Sequence, residues 1–317
     1  MVPPSEPPRG SAAGARRTEE ALVMTAHVTV GMDESPESLA AARWAAAEAS
    51  LLDAPLHLMH VEEWPVTAEV PVLSAEALVE RYETLLRSTV DRVRRERPGL
   101  DVTTEMVRGR APAELTAAAN ESEVTVLGSR GLGGVVGFLI GSVSLAVVGR
   151  ARRPVVLVRS PEGTRAATSV PGADGPPSGI VLGLDLDQPC DPVLAFAFGH
   201  AARRNEELRI VHSWSPSPAH GYAAVLDPGA GGGQGRRVAE RLAELVRPWR
   251  RKFPAVRVTE RAVVGPAAAE LVDASRSAGL LIVGRRSRRS PVGPHLGHVA
   301  HAAIHHSPAP VAVVPFE

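Results

Sequence analysis

The residues best suited to chemistry form the run Gly128-Ser129-Arg130-Gly131-Leu132-Gly133-Gly134-Val135-Val136-Gly137-Phe138-Leu139-Ile140-Gly141-Ser142. Its skeleton is glycine, two residues, glycine, nine residues, glycine, serine. Glycine at 128 and 131 permits positive φ and lets the main chain approach a bulky anion with no Cβ in the way. Gly141-Ser142 opens a helix, whose free first-turn N–H groups and positive dipole end attract phosphate. The Ser142 hydroxyl adds a donor. The dipole alone contributes about 0.3–2 kcal/mol, so several converging N–H groups must supply the rest. A P-loop would need a lysine after the last glycine, and the only lysine is Lys252. The dinucleotide fingerprint would need glycine at Val136 and would follow the first strand. The plainer readings are a merely flexible loop and an Arg130 that stays in solvent instead of reaching the phosphates.

Strands and helices must position such a loop, and their signals alternate from His27 onward. The sequence predicts strands at His27–Met32, Pro55–Val61, Val102–Val107, Val124–Gly128 and Pro154–Arg159. Between them fall helices starting at Ser35-Pro36, an N-cap followed by proline, then a stripe of Leu78, Tyr82, Leu85, Leu86, Val90 and Val93, then Ala111–Asn120, then a helix from Gly141. Residues 161–178 are rich in Pro, Gly, Ser and Ala and read as a linker. After it the order repeats. Gly31-Met32-Asp33 returns as Gly183-Leu184-Asp185, and His60 returns as His212, each 152 residues on. Further along the offset is 156, taking Gly128 to Gly284, Gly141 to Gly297 and Pro154 to Pro310. The extra residues belong in a loop at Pro216–Gln234. This is an internal duplication: residues 27–160 form one domain and 179–317 a second.

Alternating strands and helices imply an α/β fold, here two tandem doubly wound five-stranded parallel sheets. Ligands bind such sheets beyond the carboxyl ends of the strands, where strand order reverses. The site should therefore use residues just after strands one and four. Lys+Arg and Asp+Glu balance at 35 each, so no basic field draws the chain to nucleic acid or an anionic membrane. The single cysteine, Cys190, rules out an intrachain disulfide and fits a reducing cytoplasm. No run of 18 apolar residues is present, so no membrane span is expected. Residues 1–26 lack the apolar core of a secretory signal and read as a disordered tail, with Met24 an alternative start.

The loop skeleton, together with Val30-Gly31-Met32-Asp33-Glu34-Ser35, Trp44-Ala45-Ala46-Ala47-Glu48, Leu58-Met59-His60-Val61 and Ala151-Arg152-Arg153-Pro154-Val155-Val156-Leu157-Val158, resembles the universal stress protein family in its ATP-binding branch. The resemblance covers nearly all of both repeats. It implies strand order 3-2-1-4-5 and ATP as the ligand, with or without Mg2+. Asp33 would contact the nucleoside, at the ribose or the adenine edge, with Gly31 beside it. Val61 would meet the adenine. Gly128, Ser129, Arg130, Gly131, Gly133, Gly134, Gly141 and Ser142 would hold the phosphates, and Val143 would give a backbone N–H. The plainer readings are Asp33 as a helix-turn cap and Val61 as a core strand end.

The second copy departs from this pattern. Its run is Gly284-Arg285-Arg286-Ser287-Arg288-Arg289-Ser290-Pro291-Val292-Gly293-Pro294-His295-Leu296-Gly297-His298. Ser287 replaces a glycine, His298 replaces the serine, and two prolines stiffen the loop and delete donors. Arg285, Arg286, Arg288 and Arg289 add positive charge. Gly183 and Asp185 persist, and Ser213 stands for Val61. Weaker, altered or absent nucleotide binding is expected there, through Gly183, Asp185, Gly284, Arg285, Gly297 and His298. His298, His301 and His305 have spacings that a metal can use, but packing under the sheet is the commoner role of helical histidines, and no metal is expected.

No catalytic set stands out. Cys190 lies in Asp187-Gln188-Pro189-Cys190-Asp191-Pro192, between acids that raise a thiol pKa. No base is placed by sequence for attack on a γ-phosphate. The expectation is a non-enzymatic regulator of stress or dormancy responses, acting through an unidentified protein partner. A slow ATP hydrolase and a dimerisation scaffold are the alternatives. Pro154–Val158 and Pro310–Val314 read as sticky edge strands, best covered by pairing with each other or with a second chain.

Overall fold

The computed structural model describes residues 26–63, 75–129, 141–160, 177–215, 230–287 and 296–317. The sequence-based readings of the tail, most of the linker, Arg130, Gly131, Gly133, Gly134, Arg288 and Arg289 fall outside these residues. The first copy runs β1 (Val28–Gly31), α1 (Pro36–Leu52), β2 (Leu56–Glu62), α2 (Ala75–Glu96), β3 (Val102–Arg108), α3 (Ala111–Glu121), β4 (Val124–Gly128), α4 (Ser142–Arg150) and β5 (Val155–Val158). The second runs β6 (Ile180–Gly183), α5 (Asp191–Arg204), β7 (Leu208–Trp214), α6 (Ala230–Lys252), β8 (Val258–Val264), α7 (Ala267–Ser275), β9 (Leu280–Arg286), α8 (His298–His306) and β10 (Val311–Phe316).

Local signals set these boundaries. Ser35 caps α1, its Oγ accepting from the Ser38 N–H at 3.1 Å, with Pro36 at the first helical position. Ala41, Ala45 and Ala49, spaced by four, are fully buried and let α1 lie close on the sheet. The helix stops at Asp53 in the left-handed region (φ 51°, ψ 43°), and α5 stops the same way at Asn205 (φ 52°, ψ 41°), 152 residues on. Gly231–Gln234, read from sequence as loop, belong to α6. The packed stripe of Val238, Leu242, Val246 and Trp249 carries that helix and outweighs the poor propensity of its glycines.

Each copy has strand order 3-2-1-4-5, but the two five-stranded sheets are one. The order is β3-β2-β1-β4-β5-β10-β9-β6-β7-β8. All pairs are parallel except the central one, β5 with β10, which is antiparallel with Val156 opposite Ala312. The sticky fifth strands thus cover each other within one chain, and both residues are fully buried. Helices α1, α2, α5 and α6 cover one face of the sheet, and α3, α4, α7 and α8 the other. The apolar cluster on each face continues through both copies.

A buried polar contact crosses the same junction. Glu48 on α1 meets His200 on α5 (Oε1 to Nδ1, 3.0 Å), both side chains 1% exposed, and also Arg204 (3.0 Å) and Arg203 (3.5 Å). Trp44 stacks on His200 with ring centroids 6.0 Å apart, and the Arg204 guanidinium lies 5.5 Å from the Trp44 ring centre. Burial alone would raise the Glu48 pKa. The hydrogen bond and charge of His200, and then Arg204, outweigh it and bring the carboxyl down to about 2.

Candidate functional site

The strand order reverses between β1 and β4, which pair with each other while their continuations leave toward opposite faces of the sheet. In a doubly wound sheet the ligand crevice is expected there, at the carboxyl ends of the strands. On one side the chain leaves β1 through Met32 and Asp33. The Met32 N–H donates to Met59 O at 2.8 Å, and its carbonyl accepts from His60 Nδ1 at 2.7 Å. That acceptor fixes the proton on Nδ1. His60 is otherwise buried against Tyr82, the ring centroids 3.7 Å apart. The second copy repeats the tie, His212 Nδ1 to Leu184 O at 2.9 Å. Sequence reasoning used these histidines only as landmarks of the repeat, whereas they anchor the turn that carries the aspartate.

Asp33 is exposed, with Oδ1 accepting from the Ser35 N–H (3.2 Å) and Ser35 Oγ (2.5 Å). Asp185 forms the matching turn, Oδ1 accepting from the Asp187 N–H at 3.0 Å. Each carboxylate is therefore oriented by its own turn. Gly31 and Val61 lie where expected, at the ends of β1 and β2, and Val61 packs on the α3 face. A Cβ on Gly31 would stand 2.7 Å from Leu127 and 3.2 Å from Leu115, so this glycine admits α3 to the sheet.

On the other side of the crevice, α4 begins at Gly141 (φ −58°, ψ 141°) with no side-chain cap. A Cβ there would have nothing within 4 Å among the described residues. The Ser142, Val143 and Ser144 N–H groups precede the first intrahelical bond, Leu145 N–H to Gly141 O at 3.1 Å. The Ser144 hydroxyl donates to Gly128 O at 3.0 Å and holds this first turn against the end of β4. Ser144 escaped the sequence reading. Its signal is the Ser142-Val143-Ser144 alternation, which places one hydroxyl outward and one inward, and Ala300 replaces it in the second copy.

Two expectations for this loop need correction. Gly128 is not in the left-handed region. A Cβ there would stand 2.8 Å from Glu37 C and from Ser38 N, so glycine is needed to let the first turn of α1 cross β4. The Ser129 N–H continues the sheet, donating to Val158 O at 2.8 Å, and is not free for phosphate. Because the obstacle is backbone, Gly128→Ala should cost about 1–3 kcal/mol of stability in denaturant unfolding. An unchanged midpoint would mean that α1 can move aside.

The second copy holds a cavity of about 680 Å3 at the corresponding place. It brings together Gly183, Asp185, Ser213, Gly284, Gly297 and His298. Gly284 leaves room for Phe316 of β10, 2.8 Å from where its Cβ would be. Gly297 caps α8 as Gly141 caps α4, again with nothing within 4 Å of its Cβ position among the described residues. Arg285 does not serve this cavity with its guanidinium. Buried, it donates to Gly149 O at 3.1 Å and to Ala151 O in the first copy, because two helix-end carbonyls lie within its reach. Cys190, at the cavity wall, is pushed up to about 11, first by burial and then by Asp185 and Asp191. Three of the four histidines of α8 do not pack under the sheet as expected, and the fourth, His305, is half-buried. His298, His301 and His306 are exposed, and the His301 and His305 rings lie 4.3 Å apart. Among the described residues no three His, Cys, Asp or Glu side chains gather as a metal-binding group, and no helix is long and apolar enough to cross a membrane.

The model of the universal stress protein family matches residues 24–159 and again 179–315. A universal stress protein of Mycobacterium tuberculosis is 33% identical over 294 residues, covering 90% of this chain and 96% of that protein. One from Mycolicibacterium smegmatis is 31% identical over 295 residues, with 90% and 96% covered. Among solved structures, a universal stress protein from Archaeoglobus fulgidus has a TM-score of 0.64 at 17% identity, covering 91% of this chain and 98% of its own, a likeness of fold. Two family matches in tandem, relatives similar along almost their whole length, and one strand order repeated about a central pair agree: the chain belongs to the universal stress protein family.

Proposed function

We propose that this protein is an ATP-binding regulator of stress or dormancy responses that holds the nucleotide mainly in its first copy. The observation that carries the reading is the start of α4, which has no side-chain cap from Gly141 and open space around that residue among the described residues, at the same carboxyl edge of the sheet as the oriented carboxylate of Asp33. Three first-turn N–H groups and the Ser142 hydroxyl suit a phosphate chain, while Asp33 suits a ribose or an amino edge. The cavity of the second copy has a volume ordinary for a small-molecule site. Its histidine in place of Ser142, and the Arg285 side chain turned away, favour weaker phosphate binding there.

Binding without hydrolysis is the reading favoured. Asp33 is engaged by Ser35, and the His60 ring is fixed on Met32 O, so neither of these groups bordering the crevice is poised to activate water. Calorimetric titration of the full chain with ATP tests the proposal. One tight site per chain is expected, without turnover when Mg2+ is added. Absence of heat at millimolar ATP would remove the nucleotide reading, and multiple turnover would replace the regulator with a hydrolase.

A further inference from the structure

Besides the sheet junction, the copies hold each other through two crossed arginines. Arg285, at the end of β9, donates to Gly149 O and Ala151 O, which close the C-terminal end of α4. Arg159, just after β5, donates through Nη2 to Ile304 O at 2.8 Å and His305 O at 3.0 Å, in the last turn of α8. Each arginine leaves a strand end beside its own copy's crevice: Arg285 follows Gly284, and Arg159 follows Val158, whose carbonyl binds Ser129. Each then grips the far end of the helix that opens on the other copy's crevice. The two are not repeat equivalents, since position 285 corresponds to Ser129 and position 159 to Pro315. The crossed arrangement is built twice, from different strand positions.

We propose that Arg285 is a positioning residue for the phosphate end of the first copy, coupling the cavity of the second copy to α4, and that Arg159 does the same in reverse for α8. The inference rests on the reading that the start of α4 holds phosphate. A cation on the last carbonyls supports the dipole whose positive end faces the phosphate. The helix has nine residues and is packed on the sheet, so its register at one end follows the hold at the other. Gly284 and Arg285 border the second cavity, so an occupant that shifts the end of β9 alters the grip on α4, and by linkage the effect is reciprocal.

The test compares full-chain wild type, Arg285→Met and Arg285→Lys, titrated separately with ATP and with adenosine. The expected result is an ATP affinity about fivefold weaker in Arg285→Met, an unchanged adenosine affinity, and partial recovery with lysine. A structural role alone would leave both affinities unchanged or weaken both together, and either result overturns the proposal. If Arg285→Met does not fold, Arg285→Lys carries the same comparison, with about a twofold loss expected for ATP only. Amide exchange of residues 145–151 in ligand-free protein reads the grip independently. It should be faster in the variant, and unchanged exchange overturns the grip. A wild type that binds neither ligand, beside faster α4 exchange in the variant, overturns the nucleotide reading and supports the grip.

Discussion

Ser142→Pro should fold as well as the wild type and bind ATP at least about a hundredfold more weakly. Proline is favoured at the first position of a helix, where its missing N–H has no intrahelical acceptor and its fixed φ suits the turn. The residue before a proline must be extended, and Gly141 already is, at φ −58° and ψ 141°. The substitution therefore deletes one amide and one hydroxyl at the crevice without asking the backbone to move. Several donors converge on a phosphate, and each charge-assisted hydrogen bond contributes about 1.5–3 kcal/mol, so losing two implies a drop between about a hundredfold and about ten-thousandfold. Adenosine affinity should not change. Thermal unfolding beside both titrations checks this. A variant with a normal melting temperature and normal ATP affinity would take the start of α4 out of the site.

The largest effect on stability is expected at Glu48. Removing its carboxylate by Glu48→Ala strands His200 and Arg204 at a closed interface, and breaking such a buried cluster costs about 3–5 kcal/mol. The double substitution Glu48→Leu/His200→Leu removes the fully buried pair and should recover part of the loss, the remaining deficit being that of Arg204, which is partly open to solvent. The same carboxyl makes stability depend on pH. Its folded pKa, about 2, lies below the ordinary 4.5. Its contribution, about 3 kcal/mol, is therefore complete above pH 4.5 and is lost as pH falls from there toward 2. Urea midpoints between pH 7 and pH 3 should fall more steeply in the wild type than in the double variant. Parallel curves would show that Glu48 does not carry the acid sensitivity.

Much of this architecture is legible in the sequence, for physical reasons. Val124–Gly128 and Ser35-Pro36 are local signals, an apolar run and a cap, and they appear where expected. The contacts that depend on how the copies meet are not local. Arg285 looked like part of a phosphate loop because its neighbours are arginines, yet the edge pairing of β5 with β10 puts the end of α4 within its reach. Gly128 was assigned to anion approach, but the crossing of α1 over β4 requires it. Glu48 and His200 carried a usable signal. They are repeat equivalents, 152 residues apart, and a pseudo-twofold axis brings equivalent residues near it face to face. A glutamate in one copy opposite a histidine in the other marks a complementary junction. Trp44 reaches the same His200 ring across the junction, while its repeat equivalent Phe196 meets that ring from one turn earlier on α5.

Hydrogen exchange of the full chain, with and without saturating ATP, tests the central claim most directly. The amides of Ser142, Val143 and Ser144 have no partner within their own helix, and a bound phosphate chain would give them one. ATP should slow exchange in the peptide that begins α4, and slow the matching start of α8 much less. ATP bound with the α4 amides still exchanging freely would contradict the account, whatever its affinity.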